Sequence, residues 1–128
     1  MSKLLRILFL IHALIALAVG VPLLLAPGRF LEALGWAPVD PIISRLLGAA
    51  LLALTWSSFR GWRATQWSQV AIIVEAEAVF TVLACVGLLR HLLAGHYTLL
   101  VWGPFALYLA FAVAWIAVLV QHWRTDRG

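Results

Sequence analysis

Asparagine does not occur among the 128 residues, and cysteine occurs once. Without asparagine the chain has no acceptor for an N-linked glycan. The single Cys85 allows neither an intrachain disulfide nor a multi-cysteine metal site. Charge is also scarce, with 11% of residues Asp, Glu, Lys or Arg and only five acids among them. A soluble domain needs a polar face on each surface helix, and this chain cannot supply four of them.

What it has instead is apolar side chain: 65% of the residues are hydrophobic and the mean hydropathy is +1.04. Lipid can solvate such a surface and water cannot. The formal charge of +4 does not mark a nucleic-acid binder, because the basic residues stand singly or in pairs between long apolar runs. The expected fold is all-α: a four-transmembrane-helix bundle with a short interfacial helix in the first outer loop. One integral membrane domain covers residues 1–128, and the lipid bilayer is its first partner.

The apolar runs predict spans at about 4–25, 41–59, 65–89 and 98–123. Each is close to the ~20 residues that cross the hydrocarbon as a helix. The first run is too long for the core of a signal peptide, and Val21-Pro22-Leu23 is a poor cleavage site, so it reads as a retained helix. Pro22 and Pro27-Gly28 mark its end, and Pro41 suits the first turn of the second helix. Continuous apolar runs exclude the alternating pattern of a membrane barrel. Lys3, Arg6, Arg60, Arg63, Arg124 and Arg127 fall on one side of the membrane, and Arg29, Arg45 and Arg90 on the other with Glu32 and Asp40. That bias predicts cytoplasmic termini. Trp36 and Trp102 would mark the outer interface, and Trp62, Trp67 and Trp123 the inner one. The loop over 27–40 carries Phe30, Leu31, Leu34 and Trp36 beside Arg29 and Glu32, which predicts a short helix ended by Gly35.

Small residues four apart mark helix contact faces in lipid. They predict His12, Ala16 and Gly20 on the first span, Arg45, Ala49, Ala53 and Ser57 on the second, and Ala106, Ala110 and Ala114 on the fourth. His12 and Arg45 should therefore face protein. Glu75 and Glu77 are the most informative polar residues, about ten residues into the third span or roughly 15 Å deep. Two positions apart is about 200° of rotation, so only one can face the bundle centre. His12 lies at nearly the same depth, and Arg45 can reach inward toward it. The candidate intramembrane site is thus Glu75, Glu77, Arg45 and His12, with Thr55, Thr81, Trp115 and Tyr108 as further hydrogen-bonding groups. One reading is an ion pair that fixes which helices touch. The other is a protonatable carboxylate in a transport or ligand path, for which the hint is that two glutamates and one arginine leave one carboxylate without an obvious partner.

No catalytic residues and no cofactor are expected. His91, His96 and His122 sit at span ends, so a single chain offers no second deep axial ligand for a haem. Glu75, Glu77 and His12 lack the i, i+3 carboxylate–histidine spacing of bundle metal sites, so no metal is expected.

Fluoride channels match in length and span count, but their pore uses asparagine. Small multidrug-resistance transporters carry an essential glutamate in the first helix, where this chain has His12. The stretch Val21-Pro22-Leu23-Leu24-Leu25-Ala26-Pro27-Gly28-Arg29-Phe30, followed by Arg45-Leu46-Leu47-Gly48-Ala49, resembles the uncharacterised four-helix bacterial membrane proteins grouped with DoxX-like and domain-of-unknown-function families. That resemblance implies a bacterial-type plasma membrane protein and no agreed activity.

Three functions remain open. The first is a non-catalytic accessory or assembly subunit, or a homo-oligomer. The second is a small proton-coupled transporter or channel using Glu75 or Glu77. The third is an intramembrane binder of a lipid-like molecule or quinone, with Trp115, Tyr108, Trp56 and Thr81 as its lining.

Overall fold

A computed structural model describes residues 1–36, 39–97 and 99–126; Thr98, the expected start of the fourth span, and Arg127 lie outside them. All regular structure among the described residues is helical. The helices are α1 (Lys3–Leu25), α2 (Pro27–Ala33), α3 (Pro41–Arg63), α4 (Ala71–Leu93) and α5 (Leu99–Asp126), with a 3-10 turn at Trp67–Gln69. Four of these, all but α2, are long and apolar enough to cross a membrane.

The chain divides into two compact units, Met1–Thr65 and Gln66–Gly128. In the first, α1 begins where the Ser2 hydroxyl accepts from the Leu5 N–H at 3.2 Å. Its buried residues are Leu5, Phe9, His12, Ala13, Ala16, Gly20 and Leu23, a stripe at three- and four-residue steps with Ala13 beside His12. The opposing stripe on α3 is Ser44, Gly48, Leu51, Ser58 and Gly61. Three contacts fix an antiparallel register: Gly20 on Gly48, His12 on Ser58, and Phe9 on Gly61.

Between them, α2 opens on a proline and closes at Gly35. That glycine has φ of +67°, a left-handed turn residue as the sequence predicts, and its N–H reaches the Glu32 carbonyl at 2.9 Å. Asp40 then starts α3 by accepting from the Ile42 and Ile43 N–H groups at 2.7 and 3.1 Å.

In the second unit α4 packs antiparallel on α5. Trp67 meets His122 at one end with ring centroids 4.0 Å apart, and Phe80 meets Tyr108 edge-on at 5.8 Å near the middle. The buried positions are Val74, Glu77, Ala78, Thr81 and Leu92 on α4 and Val101, Phe111, Ala112 and Trp115 on α5.

Two contact ridges differ from expectation. On α3 the buried ridge runs through Ser44, Gly48, Leu51 and Ser58 instead, and Arg45, Ala49 and Ala53 are exposed. Glycine at 48 allows the two backbones to meet, and that approach outweighs an alanine ridge. On α5, Ala106 and Ala110 are exposed and the buried face belongs to the larger Phe111 and Trp115. The helix ends differ too. The third long helix begins at Ala71 rather than 65, because Gln66 and Gln69 cap the intervening 3-10 turn reciprocally, and it runs on to Leu93.

Candidate functional site

His12 sits mid-way along α1 and is 4% exposed. Its Nδ1 lies 2.8 Å from the hydroxyl of Ser58, which is 0% exposed on α3. Sequence reasoning placed His12 inward but missed Ser58. The signal was available: two helices of 23 residues each, joined as a hairpin, bring position 58 opposite position 12. A hydroxyl held against an imidazole is the geometry of an activated nucleophile. Here Ser58 offers no exposed face to a substrate, and the pair works as a polar latch between α1 and α3.

Arg45 does not share that level. Its side chain is exposed, and its guanidinium donates to the Leu24 carbonyl at 2.9 Å. Leu24 lies twelve residues beyond His12, about 18 Å along α1. The expectation that Arg45 and His12 meet at one centre is therefore corrected. The physical reason is local: the last turn of α1 holds no basic residue of its own. Its terminal carbonyls, which carry the negative end of the helix dipole, take a cation from the neighbouring helix.

On α4 the two glutamates separate as their spacing requires. Glu77 is 0% exposed, in line with Val74 and Thr81, whereas Glu75 is exposed. Because α4 begins at Ala71, Glu75 lies only about 6 Å and Glu77 about 9 Å along the helix, rather than the greater depth expected. The register set by Trp67–His122 and Phe80–Tyr108 brings Glu77 level with Phe111 and Ala112, about one turn from Tyr108 and from Trp115.

The hydroxyls expected to serve the polar cluster turn back on their own helices. Thr81 Oγ1 donates to the Glu77 carbonyl at 2.7 Å, and Thr55 Oγ1 to the Leu51 carbonyl at 2.9 Å. Of the expected pocket lining, Trp115 is 0% exposed and Tyr108 is half-buried against Phe80. Trp56 belongs to an outer face, 64% exposed and stacked on Phe59 of its own helix. Among the described residues, no three His, Cys, Asp or Glu side chains gather to hold a metal ion.

Each hairpin thus carries a buried polar position of its own: His12 with Ser58 in the first, and Glu77 with Thr81 in the second. The chain matches no protein-family model, no curated protein and no solved structure.

Proposed function

We propose that this is a multi-pass membrane protein without a catalytic centre of its own, acting by association within the bilayer. Its role on this reading is that of an accessory or assembly subunit or a homo-oligomer. Its setting is a bacterial-type plasma membrane with both termini in the cytoplasm, as the charge bias and the DoxX-like resemblance suggest. One observation carries it. Gly103, Ala106, Ala110 and Ala117 lie at helical spacing along α5, and all four are exposed. Lipid gains little from small side chains, whereas a neighbouring helix can approach closely over them. Ala106 and Ala110 belong to the ridge that the sequence marks for helix contact, and α4 does not bury them.

Gentle detergent extraction followed by native mass spectrometry tests this reading and tells a second copy from a different subunit. The wild-type chain is expected as a complex and Ala110→Leu as a monomer. A wild-type monomer with no partner refutes association.

A second reading is a proton-coupled transporter or channel, favoured by the complete burial of Glu77. Glu77→Gln would then abolish proton-coupled flux in proteoliposomes while Glu75→Gln would not. The third, a site for a lipid-like molecule or quinone, now rests on Trp115 and Tyr108 alone.

A further inference from the structure

Antiparallel pairing of α1 with α3 gathers positive charge at one end of the first hairpin. Lys3 and Arg6 open α1, Arg60 and Arg63 close α3, and all four side chains are exposed. The N-terminal ammonium joins them, 3.4 Å from the Thr65 carbonyl, while Arg6 Nη2 donates to the Ala64 carbonyl at 3.3 Å. Both contacts cross from one helix to the end of the other, so the cluster is held by the fold. The two acids of this unit, Glu32 and Asp40, stand at its opposite end. No carboxylate of the hairpin offsets the charge.

Below the cations runs an aromatic ladder. Trp56 and Phe59 have ring centroids 6.2 Å apart, and Phe59 and Trp62 are 5.5 Å apart. The Arg63 guanidinium stands 6.0 Å from the Phe59 centroid. Trp56 is 64% and Trp62 37% exposed, so the ladder is accessible along α3, running from the charged end toward the middle of the helix.

A topology signal requires only that cations fall on one side of the membrane. Here they share one corner with rings beneath them, a polar head above an apolar track. The geometry points to a binding site for an anionic phospholipid at this corner. Arg60, Arg63, Lys3 and Arg6 hold its phosphate, and Trp56, Phe59 and Trp62 lie along its acyl chains. Charge complementarity selects the headgroup, since juxtamembrane cations attract anionic lipid and leave zwitterionic lipid nearly indifferent. The aromatic rings favour the interfacial depth at which headgroup and chain meet.

The test is native mass spectrometry of the full chain titrated with phosphatidylglycerol or phosphatidylcholine in detergent. Wild type is expected to retain phosphatidylglycerol in preference. Arg60→Gln and Arg63→Gln should each weaken that retention by about fivefold, leaving phosphatidylcholine unchanged. Arg29→Gln, at the other end of the hairpin, should have no effect. Equal retention of both lipids by wild type, or equal loss from Arg29→Gln, overturns the proposal. If either variant does not fold, salt titration of the unaltered chain decides. Selective release of phosphatidylglycerol as salt rises supports the site, and a preference insensitive to salt overturns it.

Discussion

Gly20 and Gly48 bring the backbones of α1 and α3 into direct contact. A Cβ placed on Gly48 would fall 2.9 Å from the Gly20 carbonyl oxygen and 2.6 Å from the Leu24 nitrogen. Neither neighbour is a flexible side chain that could give way. Gly48→Ala should therefore push the helices apart at a cost of about 1–3 kcal/mol, read by unfolding in mixed micelles. Gly87 provides the contrast, since nothing lies within 4 Å of its Cβ position. Gly87→Ala should leave stability unchanged or raise it by up to about 1 kcal/mol. Equal losses at the two sites would contradict the close approach.

The latch between His12 and Ser58 can be measured as a coupling. A double-mutant cycle with His12→Ala and Ser58→Ala should give an interaction energy of about 1 kcal/mol, within the range found for hydrogen bonds between membrane helices. Strict additivity would mean that the 2.8 Å contact contributes nothing.

Glu75 and Glu77 should differ sharply despite their proximity in sequence. Glu77→Ala removes a fully buried side chain and is expected to cost about 2 kcal/mol or more. Glu75→Ala alters an exposed one and should stay within about 0.5 kcal/mol. In a Cys85→Ala background, a thiol reagent should label Glu75→Cys and spare Glu77→Cys. The reverse labelling order would place the wrong face of α4 inward.

At the start of α3, the Asp40 carboxylate satisfies two backbone donors that the helix itself cannot. Asp40→Ala should lower stability by about 1 kcal/mol, and Asp40→Asn should restore most of it. Failure of the asparagine to rescue would assign the loss to charge rather than to capping.

The long helices were legible because apolar length and proline position determine them almost alone. Pro27 and Pro41 fall where the sequence puts them, and so does Gly35 at the end of α2, whereas Pro22 lies inside α1, which runs on to Leu25. The start of α4 was not legible. Thr65 to Gln69 suit a helix in composition, and only the reciprocal contact of Gln66 with Gln69 turns them into a 3-10 turn. Contact faces were half legible. On α1 the small residues coincide with the buried stripe through His12, Ala16 and Gly20. On α3 alanines surround the helix, and the single Gly48 decides the register. Arg45 was misread because burial cost was considered without the carbonyls at the end of α1, which give the guanidinium a nearer destination. Glu77 could not be ranked above Glu75 by spacing, since both alternatives continue into residues of similar size.

The division at Thr65 bears on biogenesis. Every contact of α1 with α3 is encoded before residue 66, so a ribosome can deliver a helical hairpin to the insertion machinery complete in its own register. His12 then enters the bilayer already bonded to Ser58, and the terminal carbonyls of α1 already meet Arg45. Each of the two polar groups thus has a hydrogen-bonding partner encoded in the first half of the chain, without waiting for the second half to be translated.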